Sequence, residues 1–111
     1  LSVKYHLKYM KNLERKLKTL NGIINICRKA GYLIIGGENI KNNPHKMYLI
    51  LIDKSSGNSL KREINYLLAS RNIPFLEVEG LANMVGIENC KAVAIKNKAL
   101  SDEILKMIKG E

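Results

Sequence analysis

Met47-Tyr-Leu-Ile-Leu-Ile52 is the longest apolar run in the chain and it is strand-sized. A strand points successive side chains to opposite faces, so an unbroken apolar run predicts burial on both faces. Such a strand belongs inside a sheet covered by helices on either side. The flanking segments supply those helices. Leu13, Leu17, Leu20, Ile23, Ile24 and Cys27 recur at helical spacing, which predicts an amphipathic helix ending near Ala30. Gly31 is its expected C-terminal cap, and Arg28 and Lys29 suit the negative end of the helix dipole. Asn21-Gly22 interrupts the pattern and predicts a kink or a split into two helices.

The remaining segments alternate. Tyr32–Ile35 reads as a strand, 38–43 as a helix closed before Pro44, and 54–58 as a loop. Asn58 or Ser59 is the expected cap of a helix running to about Ser70, with Leu60, Ile64, Leu67 and Leu68 facing inward. Pro74–Val78 is a third strand, 80–85 a short helix, 86–91 a loop and Ala92–Ile95 a fourth strand. Ser101 is the expected cap of a last helix, with Asp102 and Glu103 in its first turn. Strands alternating with helices predict an α/β fold. The expected form is a three-layer α/β/α sandwich around a central, mixed, roughly four-stranded sheet.

Charge narrows the partner. The chain of 111 residues carries a formal net charge of +9. Residues 1–29 hold eight Lys/Arg against the single Glu14, residues 30–71 six against three, and residues 72–111 five against six. A positive field gathered toward one end of the sequence fits nucleic acid or anionic lipid. No apolar run approaches the ~20 residues a membrane-spanning helix needs. Lys4, Lys8 and Lys11 precede no uninterrupted apolar stretch, so the N-terminus does not read as a secretory signal, and the cytoplasm is the expected location. Residues 1–19 read as a basic extension or helix start, and residues 20–111 as one domain. Residues 1–9 stay open between a native arm, an added extension and a stretch upstream of a start at Met10.

Catalytic signals are weak. Cys27 and Cys90 lack metal-site spacing and suit buried apolar roles in a reducing compartment. His6 lies in the N-terminal segment and His45 in a polar loop, and Ser55, Ser56 and Ser59 lack a nucleophile-elbow context. Asp53, at a strand end, reads as a turn residue before an acid or base. No clustered carboxylates, phosphate-binding loop or dinucleotide fingerprint occurs. The expectation is a protein without enzymatic activity, cofactor, metal or small-molecule substrate.

Two glycine-marked bends carry the binding signal. In the first, Gly36 and Gly37 allow a sharp turn and close backbone approach. Glu38, Asn39 and Asn42 can meet base edges there, and Lys41 a phosphate. In the second, Gly86-Ile-Glu-Asn-Cys-Lys91, Ile87 can lie against an unstacked base, with Glu88 and Asn89 beside it. Arg28, Lys29 and Lys54 are further candidates for phosphate.

The order of these segments resembles the kink-turn-binding ribosomal protein family, the L-seven-Ae and L-thirty-e type, and within it a bacterial YlxQ-like branch. The likeness covers about residues 20–105 and rests on an ordered set: Cys27-Arg-Lys-Ala-Gly31, Gly36-Gly-Glu38, Leu49–Asp53, Ser56-Gly-Asn-Ser59, Ile73-Pro74 and Leu81-Ala-Asn-Met-Val-Gly86. It implies a compact sandwich that grips tandem sheared G·A pairs through a Gly-Ala-Asn-Glu-x-x-Lys helix start. Here Gly36 and Gly37 stand for Gly-Ala, Glu38 and Asn39 occur in reversed order, and Asn42 takes the lysine position with Lys41 beside it. The family's Ile/Leu-Glu-Val-Pro loop corresponds to Ile87-Glu88-Asn89-Cys90, matching in its first two residues. The implied partner is structured RNA, with ribosomal RNA one candidate, in translation or RNA biogenesis. These departures leave a second reading, a protein-interaction module on the same fold, and the fold that the resemblance implies leaves a third, the substrate-recognition domain of an RNA methyltransferase whose catalytic domain lies elsewhere.

Overall fold

A computed structural model describes the backbone of residues 7–110 and the side chains of residues 18–108. Most of the 1–19 segment, His6 included, therefore falls outside the described side chains. The elements are α1 (Leu7–Lys29), β1 (Leu33–Ile35), α2 (Gly37–Asn42), β2 (Leu49–Asp53), α3 (Asn58–Arg71), β3 (Phe75–Val78), α4 (Leu81–Val85), β4 (Ala92–Ile95) and α5 (Lys98–Gly110).

The strands form one sheet in the order β1-β4-β2-β3. β4 runs antiparallel to both β1 and β2, and β2 pairs parallel with β3 through the α3 crossover. The mixed four-stranded sheet expected from sequence is present. β2 sits inside it, and all five of its residues are buried. Its side chains divide by pleat. Leu49 and Leu51 join Val93, Ile95, Leu76 and Val78 against Leu20, Ile24, Leu81, Val85 and Ile104 of α1, α4 and α5. Ile50 and Ile52 join Ile34, Ala92 and Ala94 against Ile40, Ile64 and Leu67 of α2 and α3. Each fully buried aliphatic side chain contributes roughly 1.5–3 kcal/mol of transfer free energy, so the two cores together drive the three-layer arrangement.

Three local expectations are corrected. α1 runs without interruption through Asn21-Gly22. Both residues are exposed, and a Cβ added at Gly22 would meet nothing within 4 Å, so the glycine lowers helix propensity without breaking the packed face. The cap of α3 is Gly57, which supplies no side-chain bond, and neither Asn58 nor Ser59 takes that place. At α5 the cap is Asn97, whose Oδ1 accepts from the Leu100 N–H at 2.9 Å. Ser101 instead lies one turn inside the helix, fully buried. Asp102 pairs with Lys98 at 2.8 Å on the outer surface.

The Ser101 hydroxyl is buried with no hydrogen-bond partner among the described residues. An unsatisfied buried hydroxyl costs roughly 1–3 kcal/mol, and alanine also has the better helix propensity. Ser101→Ala is therefore expected to raise stability by about 1 kcal/mol or more. Urea unfolding measures it, and a lowered midpoint at unchanged slope contradicts it.

Candidate nucleic-acid interface

The sheet topology brings four connections to one end. β1, β2 and β3 finish where β4 begins. The Gly36 N–H donates to the Ala92 carbonyl at 2.9 Å, the Asp53 N–H to the Lys91 carbonyl at 2.8 Å, and the Lys54 N–H to the Val78 carbonyl at 2.9 Å. The first glycine bend is thus bonded to the chain that leaves the second. Both lie at the surface.

The two glycines of the first bend differ in their surroundings. Gly36 has φ +93°, a conformation that side chains with a Cβ rarely adopt. Gly37 lies against α3: a Cβ there would stand 2.5 Å from Leu60 Cδ1. Ile40, fully buried, pins α2 to the sheet. Glu38, Asn39, Lys41 and Asn42 remain exposed around it. Asn39 Nδ2 donates to the Ile35 carbonyl at 2.8 Å, which fixes the amide and leaves Oδ1 as its acceptor. Asn39 and Asn42 also line a shallow groove of about 380 Å³ along β1, with Pro44 and Lys96. Lys41 Nζ is 3.8 Å from Glu63.

At the second bend Gly86 has φ +72°, and a Cβ on it would stand 2.7 Å from Arg28 Nη1. Arg28 of α1 therefore lies against this bend, with Lys29 exposed beside it in sequence. Ile87 is half-buried and packs partly on the core, while Glu88 and Asn89 are exposed. Asn89 has φ +61°, a left-handed conformation that asparagine tolerates better than most residues. Lys54 is exposed, with its Nζ 3.5 Å from Glu79.

Sequence reasoning missed the network that joins these loops. Lys91 Nζ donates to Ser55 Oγ at 2.6 Å. Ser55 Oγ donates to Asp53 Oδ2 at 2.5 Å, and the Ser55 N–H donates to the same oxygen at 2.9 Å. Asp53 Oδ1 accepts from the Leu81 N–H at 2.9 Å, at the start of α4. Asp53 is the turn residue expected, and it also reaches α4. Burial opposes its ionisation, but the bonds from Ser55 and Leu81 and the charge of Lys91 outweigh burial and hold its pKa at about 2. The lysine donates to the hydroxyl and the hydroxyl to the carboxylate, so the network ties these loops together. Lys91 is exposed and adds a cation to the interface.

Among the described residues, no group of three or more His, Cys, Asp and Glu could hold a metal ion. Cys27 and Cys90 are buried free thiols, each pushed up in pKa by burial. No described helix is long and apolar enough to cross a membrane.

No family model and no curated protein matches the sequence. Solved structures do match in fold. A protein of unknown function from Bacillus halodurans superposes with a TM-score of 0.72 at 18% identity, over 80% of this chain and 95% of that one. The 15.5 kD RNA-binding protein of Giardia lamblia superposes with a TM-score of 0.63 at 16% identity, over 86% of this chain and 85% of that one. The α/β sandwich is thus a fold shared with a protein that binds RNA.

Asp53 gives a pH test with a definite sign. Its folded pKa of about 2 lies below the ordinary value of 3.8, so the unfolded chain takes up the proton first as pH falls. The stabilisation, about 2 kcal/mol, is complete above roughly pH 5 and is lost as pH falls from about 4 to 2. Asp53→Ala should lose at least that amount at neutral pH and flatten the acid limb of stability against pH, both read by urea unfolding. An unchanged acid limb contradicts the assignment.

Proposed function

We propose that this chain binds structured RNA without catalysis, at the end of the sheet where the two glycine bends meet. The observation that carries the reading is the Gly36 to Ala92 hydrogen bond, which holds both bends at one exposed edge. The shared fold of an RNA-binding protein supports it, as does the net charge of +9. Gly36, with no side chain, lets an RNA backbone come close. The Glu38 carboxylate accepts from the amino and imino hydrogens of a guanine, and Asn39 Oδ1 and Asn42 complete the polar edge. Lys41, Lys54, Lys91, Arg28 and Lys29 meet phosphates. Ile87 offers an apolar surface to an unstacked base, with Glu88 and Asn89 at its rim. Within structured RNA we assign the kink-turn type, and a role in translation or RNA biogenesis, on the sequence resemblance alone.

One set of observations favours the protein-docking reading. Lys41 and Lys54 already face Glu63 and Glu79, and the Asn39 donor is engaged. Both ion pairs are largely exposed, and such pairs contribute about 0–1 kcal/mol. A phosphate strand can displace them.

Titration with two RNAs of equal length separates the readings. One carries tandem sheared G·A pairs, and in the other Watson–Crick pairs replace them. Affinity should fall steeply with salt for both, as counterion release requires. Glu38→Ala should cost about 1–3 kcal/mol on the first RNA alone. Lys91→Gln should weaken both equally and lower the salt slope by about 1. Equal affinity for the two RNAs removes the kink-turn assignment. Failure of both to bind at low salt removes RNA binding itself.

A further inference from the structure

A second cationic concavity lies at the opposite end of the sheet, where β2 and β3 begin and β4 ends. This cleft of about 490 Å³ is lined by His45, Lys46, Tyr48, Arg71, Pro74 and Lys98, among others. Its lining holds three full cations and no carboxylate. Asp102 faces Lys98 in an exposed pair, a weak competitor for a phosphate, and Glu77, three residues past Pro74, pairs with Lys61. Arg71 Nη1 donates to the Asn43 carbonyl at 3.1 Å, which holds the guanidinium at the rim and leaves its other N–H groups for a ligand. Lys46 Nζ stands 5.4 Å from the centre of the Tyr48 ring. The Tyr48 N–H donates to the Ile95 carbonyl at 2.9 Å, so the ring is carried on backbone fixed to β4.

Like charges gathered in one concavity repel, and a polyanion relieves that repulsion. The combination of cations with an aromatic face suits single-stranded nucleic acid, whose phosphates follow a positive groove while a base stacks. At about 3.3 Å per residue, the five residues of β2 put this cleft roughly 17 Å from the glycine bends. We infer that the cleft binds a single-stranded segment flanking the folded RNA, with Lys46, Arg71 and Lys98 on phosphates and Tyr48 under a base. The inference rests on the RNA-binding reading and extends it to a second contact on the far end of the sheet.

Fluorescence anisotropy with two probes tests it: the G·A-containing stem-loop alone, and the same stem-loop with a tail of about ten uridines. The tail should tighten binding by the order of tenfold at low salt and steepen the salt slope by about 2, at roughly 0.7 for each of three single-strand phosphates. Lys46→Gln/Lys98→Gln, both on the exposed surface, should abolish the gain from the tail and keep the affinity for the untailed probe. Lys18→Gln/Lys106→Gln removes the same charge from exposed helix positions elsewhere and should keep the gain. A tail that adds nothing, or a gain that survives in the cleft variant or vanishes equally in the control, overturns the inference. If the untailed probe fails to bind while tail-dependent binding is lost in the cleft variant alone, the cleft stands and the glycine-bend site falls. Absence of binding by both probes overturns both.

Discussion

One carboxylate stands where the inner strand stops, and the arrangement of the candidate interface depends on it. β2 is hydrogen-bonded on both edges and buried on both faces, so its position is tightly constrained. Its last residue, Asp53, converts that constraint into loop geometry. One oxygen holds the turn at Ser55 and the other holds the first N–H of α4. Hydrogen bonds to an ionised group contribute about 1.5–3 kcal/mol each, more than bonds between neutral groups. Lys91 reaches the same network through Ser55, and its carbonyl accepts the Asp53 N–H. The loop after β2, the start of α4 and the entry to β4 are therefore fixed to one another.

β4 carries the same constraint to the first bend. It lies between β1 and β2, so residue 92 is bonded toward Gly36 on one side and paired with Ile52 on the other. Its residues differ by face. Val93 and Ile95 fill the space under α1, α4 and α5, whereas Ala92 and Ala94 face α2 and α3. Two small side chains there let a six-residue helix come close to the sheet. A helix that short has no stability of its own in water, so α2 owes its place to Ile40 and to the contact of Gly37 with Leu60. Glu38, Asn39, Lys41 and Asn42 are presented by tertiary packing and not by helix propensity.

The elements were legible because each has its own period. β4 matches its expected bounds, and β1, β2 and β3 differ by one or two residues at their ends. At the start of α5 two cap-forming residues compete. Asn97 and Ser101 are both good caps, and the acidic pair after Ser101 favoured the wrong one until the Asn97 bond to Leu100 decided it. Gly22 read as a breaker because sequence does not say whether a glycine faces solvent. At the interface, the residue types at the bends were visible, and their meeting was not. Gly36 finds Ala92, Ser55 finds Lys91 and Asp53 finds Leu81 across gaps that no local spacing encodes. The contact of Arg28 with Gly86 is of the same kind.

The carboxylates at the bends bear on what such a surface can select. Glu38 and Glu88 are exposed within a field of lysines. A surface built only to attract phosphate gains nothing from either, because each repels a strand carrying one charge per ~3.4 Å. They become favourable where the ligand places hydrogen-bond donors at those points, as amino groups on base edges do. Lys41 and Lys54 are tied by exposed pairs to Glu63 and Glu79, which moderates their attraction for an arbitrary polyanion. A ligand that meets both requirements, phosphates outside and donor edges inside, is a folded strand with exposed bases. On the proposed RNA-binding reading, the acids narrow the choice that the lysines alone would leave open.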